Sequence, residues 1–138
     1  MSESTKKIGL SVSDCRTRQQ RLCRYLTEQR LDAALLTDRR HVHYLTGCWL
    51  GGRPLFDVAL LLCADGASVL ALPGPTNVPV AADDVISFTA QRLSTIVDDQ
   101  PAECIDALRP HLTKLRRLGC DEAKYPWLFE NWQIVDLT

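Results

Sequence analysis

Apolar residues in this chain come in short runs and stripes, cut apart by polar, glycine- and proline-containing breaks. The first dozen residues are Ser-rich and show no period, so residues 1–13 read as a disordered lead-in. Ser13 or Asp14 is placed to cap a helix running to about Gln29. Its apolar stripe is Cys15, Leu22, Cys23 and Leu26, and Arg16, Arg18, Arg21 and Arg24 between them read as a solvated basic face. Leu31 to Thr37 reads as a buried strand. Asp38 then caps a short helix over Arg39–Thr46, with Val42 and Leu45 on one side and Gly47 as terminator. Residues 48–56 form a loop with two glycines and a proline, rich in large apolar side chains that need a surface to pack on.

Asp57–Cys63 and Ala67–Leu72 are two apolar strands joined through Asp65-Gly66, a strong hairpin signal. Three prolines and a glycine make 73–79 a loop, and Val85–Thr89 reads as a short strand. Asp98 or Asp99 starts a helix with Pro101 in its first turn and a stripe of Ile105, Leu108, Leu112 and Leu115. Pro110 predicts a kink or break near Leu108, and Gly119 closes the helix after a basic last turn. Leu118–Asp121 reads as a short strand, Tyr125–Trp132 as a helical turn and Gln133–Leu137 as a last strand. The alternation of helices and strands predicts one α/β or α+β layered domain with a mixed sheet, since the hairpin forces an antiparallel pair.

Composition narrows the function classes. The chain has 138 residues, 46% hydrophobic and 24% charged, an ordinary globular balance. Sixteen basic and seventeen acidic residues give a net charge of −1, which speaks against a nucleic-acid partner. No apolar run approaches the ~20 residues of a membrane span, and no apolar core follows Lys6 and Lys7 as in a secretory signal. The six cysteines are scattered without a C-x-x-C pair, so they read as reduced core residues of a cytoplasmic protein.

Candidate chemistry is sparse. His41-x-His43 lies on a helix, where the two rings diverge by about 200°, so a structural or solvent role is read for both. Cys48 has only His43 nearby in sequence as a base, and the pair is read as non-catalytic. Hydrolase-elbow and nucleotide phosphate-loop motifs are absent. The acidic pairs Asp83-Asp84, Asp98-Asp99 and Asp121-Glu122 are adjacent in sequence, and nothing in the pattern makes them converge.

One combination is more specific. A helix with R-x-x-R-L (Arg18 to Leu22) precedes a strand reading Asp32-Ala33-Ala34-Leu35-Leu36-Thr37, then Tyr44-Leu45-Thr46-Gly47, then Ala59-Leu60-Leu61-Leu62 with Asp65-Gly66. With Arg117 to Asp121, this resembles the N-terminal domain of the creatinase, prolidase and aminopeptidase P family over residues 14–138. The resemblance implies a ribonuclease-H-like α/β fold, a mixed sheet of about six strands flanked by helices, without implying ribonuclease activity. It also implies that catalysis belongs to a separate domain holding two divalent metal ions (Mn, Co or Zn) on two Asp, one His and two Glu. No metal ligand or other cofactor is therefore assigned within this chain, and no catalytic residue.

The resemblance further implies a homodimer in the full-length protein. There this domain covers the partner's active site, where a proline-containing peptide is the substrate. The loop after Tyr44-Leu45-Thr46-Gly47 is where residues reach across, and the candidates are Cys48, Trp49, Leu50, Arg53 and Phe56, with Arg53 able to pair with a substrate carboxylate. The last residues, Ile134 to Thr138, are strand-like, and the linker into a catalytic domain is expected about there. The competing expectations are a free-standing α/β binding or regulatory module, and an α/β enzyme using acids such as Asp121 and Glu122.

Overall fold

The computed structural model describes residues 11–49, 57–74, 76, 78–92, 95–96, 100–121 and 133–137. Helix α1 spans Val12–Glu28, strand β1 Ala33–Leu36 and helix α2 Arg39–Thr46. Strands β2 (Ala59–Cys63), β3 (Ser68–Leu72) and β4 (Asp84–Ser87) follow, then a small β5–β6 ladder at Gln91–Arg92 and Thr95–Ile96. Helix α3 (Gln100–Leu112) leads into β7 (Arg117–Cys120) and then β8 (Gln133–Asp136).

The main sheet has six strands in the order β4-β3-β2-β1-β7-β8. β2 pairs antiparallel with both β1 and β3, while β3–β4, β1–β7 and β7–β8 are parallel. The expected α/β mixed sheet is therefore present, with two antiparallel pairs where the hairpin alone required one. The β5–β6 ladder was not expected from the pattern.

Alternation along the strands divides the core into two. Ala33, Leu35, Ala59, Leu61, Val69, Ala71, Leu118 and Cys120 face α3, which answers with Cys104, Ile105, Leu108 and Leu112. Ala34, Leu36, Leu60, Leu70 and Leu72 face the other way, toward Leu26 of α1 and Val42 and Leu45 of α2. β1, β2 and β3 are buried along nearly their whole length because both faces are covered. This is why they read as unbroken apolar runs.

Several local expectations change. Helix α1 starts at Val12 with Ser11 as N-cap, its side chain accepting from the Asp14 N–H at 3.1 Å, so the ordered chain begins before residue 14. Helix α3 is not broken at Leu108. It runs past Pro110 and ends at Leu112, because a proline in the last turn removes only one bond near a terminus that frays anyway. Gly119 does not close this helix. It lies inside β7, on the sheet face opposite α3, with the Leu137 side chain directly above it. A Cβ there would stand 2.6 Å from one Leu137 methyl, so the glycine provides space rather than a helix stop.

The basic side of α1 is also less solvated than expected. Arg16 ties α1 to the start of β3 and β4 through Ser68 (3.3 Å) and Asp83 (3.1 Å). Arg18 crosses to α2, donating to the Tyr44 carbonyl at 3.0 Å with its guanidinium 4.3 Å from the Tyr44 ring centre. Arg21 and Arg24 are exposed, as expected. The helical turn expected at Tyr125–Trp132 lies outside the described residues.

Candidate functional site

Helix α2 and its N-cap bring Asp38, Arg39, Arg40, His41, His43 and Tyr44 together in one short stretch. Asp38 is its N-cap, accepting from the Arg40 N–H at 2.9 Å, and Gly47 ends it in the left-handed conformation at φ 79°. Arg40 also places its guanidinium 2.8 Å from Asp38, which holds the Asp38 carboxyl down at about 2. The two histidines diverge as the helical period requires. His43 meets Trp49 with ring centres 5.3 Å apart, and His41 points toward the end of β7.

There His41 Nδ1 lies 2.9 Å from Asp121 Oδ2. Asp121 is the residue after β7, and its side chain is only 4% exposed. Its Oδ1 also accepts from the Thr37 N–H at 2.9 Å, and Oδ2 from the Asp38 N–H at 3.0 Å. A carboxylate only accepts, so Nδ1 is the protonated nitrogen when the ring is neutral, and Nε2 has no hydrogen-bond partner among the described residues. Asp121 thus clamps the β1–α2 turn and orients the ring. From the sequence Asp121 was only half of an adjacent acidic pair. Its partner His41 is 80 residues away, and parallel pairing of β1 with β7 brings the two together.

A second residue missed by pattern is Gln19, which is 3% exposed. With Cys15, Leu22 and Leu26 it completes the buried stripe of α1, at spacings of four, three and four. Its Nε2 donates to the Leu45 carbonyl at 2.8 Å and to the Ala81 carbonyl at 2.6 Å. Leu45 is in the last turn of α2, where carbonyls lack intrahelical partners, so a buried amide satisfies a group that otherwise needs water. Its place in the stripe was the available signal.

Between α1, α2 and the ends of β7 and β8 lies a cavity of about 530 Å³. It is lined by the leucines of both helices and of the sheet, by Leu137, and by Arg18, Arg21, His41, Tyr44 and Asp121. It sits at the C-terminal ends of the adjacent parallel strands β1, β7 and β8, the edge where open α/β sheets commonly place ligands.

Of the loop candidates, Trp49 is 58% exposed, against His43 on one side and with the Arg39 guanidinium 5.8 Å from its ring centre. Leu50, Arg53 and Phe56 lie outside the described residues. Cys48 is half-buried and its thiol is pushed up by burial, which makes it a poor nucleophile. Its N–H donates to the Thr46 hydroxyl at 3.1 Å. None of the six cysteines is in a disulfide, and Cys15, Cys104 and Cys120 are buried. Among the described residues no three His, Cys, Asp or Glu side chains converge as metal ligands, so a dinuclear centre does not fit them. No helix among them is long and apolar enough to cross a membrane.

The family model for the Creatinase/Prolidase N-terminal domain matches residues 18–133. No curated protein sequence matches the chain. Among solved structures, the Creatinase/Prolidase N-terminal domain of an X-Pro dipeptidase from Streptococcus pyogenes superposes with a TM-score of 0.63 at 18% identity, over 88% of this chain and 94% of that one. An aminopeptidase P from Streptococcus thermophilus gives 0.58 at 16% identity, over 89% and 90% of the two chains. Prolidase from Pyrococcus furiosus gives 0.52 at 13% identity, over 83% of this chain and 31% of that one. At these identities the likeness is one of fold.

Proposed function

This chain belongs to the Creatinase/Prolidase N-terminal domain family, and on that premise we propose that it is the non-catalytic N-terminal module of a metal-dependent Xaa-Pro peptidase of prolidase or aminopeptidase P type. In that role it dimerises and covers the active site of the partner subunit, where a proline-containing peptide is cleaved. The two divalent metal ions would be held by a catalytic domain outside residues 1–138, and the protein would be cytoplasmic.

The observation that carries the reading is Trp49. A large aromatic ring, 58% exposed and fixed between His43 and Arg39 at the exit of α2, is costly to leave in water and suited to an interface. It opens the stretch of sequence between α2 and β2 that also contains Leu50, Arg53 and Phe56, residue types that serve as interface anchors or carboxylate ligands.

The test uses the protein encoded by the whole reading frame. Trp49→Ala is expected to weaken the dimer at least tenfold in analytical ultracentrifugation, as for an interface anchor worth about 2 kcal/mol, and to lower Xaa-Pro peptide hydrolysis in parallel. Unchanged association and unchanged hydrolysis would remove the interface role. A reading frame that stops at Thr138 would remove the peptidase reading and leave a free-standing binding module.

A further inference from the structure

The covering role proposed above makes no use of the cavity at the ends of β1, β7 and β8. Its volume of about 530 Å³ falls within the ~300–1,000 Å³ of small-molecule sites. Leu22, Leu36, Leu45 and Leu137 give it an apolar floor. The charge around that floor is unbalanced. Arg18 and Arg21 bring two guanidinium groups, and the lining carboxylate, Asp121, already has both oxygens engaged by Thr37, Asp38 and His41.

The polar groups at the rim are also open to a ligand. The Arg21 side chain is exposed and makes no hydrogen bond or ion pair with the described residues. Arg18 uses Nη1 for the Tyr44 carbonyl and lies over the Tyr44 ring, which holds its head in place and leaves Nε and Nη2 available. His41 is oriented through Nδ1, and its Nε2 has no partner among the described residues. A neutral hydrocarbon would desolvate the two guanidiniums without compensation, and a small inorganic anion would leave the leucine floor wet. A planar carboxylate with an apolar body satisfies both halves, since a guanidinium offers it a matching fork of donors.

We propose that this cavity binds a small monocarboxylate bearing an apolar chain, seated on the leucines with its carboxylate at Arg18 and Arg21. Two sources share that chemistry: a free acid, and the C-terminal carboxylate of a peptide ending in an apolar residue. The inference stands apart from the peptidase reading, because every residue it uses lies in this chain.

The test is calorimetric titration of the 138-residue chain with octanoate, with N-acetyl-leucine and with an Ala-Ala-Leu tripeptide, each beside its primary amide. Saturable one-to-one binding of the acids is expected, at least tenfold weaker for the amides, as for loss of a charge-assisted contact. Arg21→Gln should weaken acid binding about tenfold, while Arg24→Gln, exposed on the same helix but outside the cavity, should not. Preference for the tripeptide assigns the peptide source, and preference for the free acids assigns the small-molecule source. Equal binding of acid and amide overturns the proposal. So does equal binding by the two variants, or no saturable binding up to about 10 mM.

Discussion

Removing the Asp121 carboxylate should be the most damaging single change to the end of the sheet. Asp121→Ala strips the acceptor from three donors at once: the Thr37 and Asp38 N–H groups and His41 Nδ1. His41 is half exposed and can turn to water, so its loss is small. Thr37 is buried, so its N–H is stranded, and the Asp38 N–H loses its partner at the helix cap. Bonds to a charged acceptor are worth about 1.5–3 kcal/mol each, and a stranded buried donor costs a similar amount. Two such bonds place the total at about 3–6 kcal/mol, a large share of the ~5–15 kcal/mol of a typical domain.

Urea unfolding followed by tryptophan fluorescence reads this directly. With a slope of about 2 kcal/mol/M, the midpoint should fall by about 2 M without a change in slope. Asp121→Asn should lie between wild type and alanine, because one face of the amide presents donors to donors. His41→Ala should move the midpoint much less. A midpoint for Asp121→Ala within about 0.5 M of wild type would refute the clamp, since a single ordinary surface contact would then account for the change.

Two further outcomes follow from local geometry. Gly119→Ala should destabilise by about 1–3 kcal/mol, because three Leu137 carbons stand within 3 Å of the new methyl, and adding Leu137→Ala should recover part of the loss in thermal melts. Acid should also weaken the fold through Asp32 and Asp38. Both folded-state carboxyls sit below the usual aspartate value near 3.9, Asp32 because the Arg117 and Arg116 N–H groups donate to it, and Asp38, at about 2, chiefly because of the Arg40 side chain. A depressed folded pKa gives stability that is full above the unfolded value and lost as pH falls through the folded one, so Tm should drop between about pH 4 and pH 2. Asp32→Asn should flatten that drop, and an identical acid limb in the variant would contradict it.

Much of this molecule is determined by the sequence alone, for a physical reason. Short apolar runs and period-3.6 hydrophobic spacing are local properties, so β1, β2, β3, α2 and its Asp38 and Gly47 caps are all legible within a few residues. The motif set from Arg18 to Gly66 added the family and its mixed α/β sheet. What the tertiary structure decided is where residues distant in the chain meet. Gly119 reads as a helix stop until β7 is paired beside β1 and Leu137 fills the space above it. Asp121 reads as one of two acids until the same pairing sets it against Thr37, Asp38 and His41. Gln19 reads as a polar residue on a basic helix until α2 and the loop at Ala81 bring their carbonyls to it. The cavity follows the same rule. Its lining comes from α1, α2 and the ends of three parallel strands, so no local window of sequence contains it, and only the order of the strands assembles it.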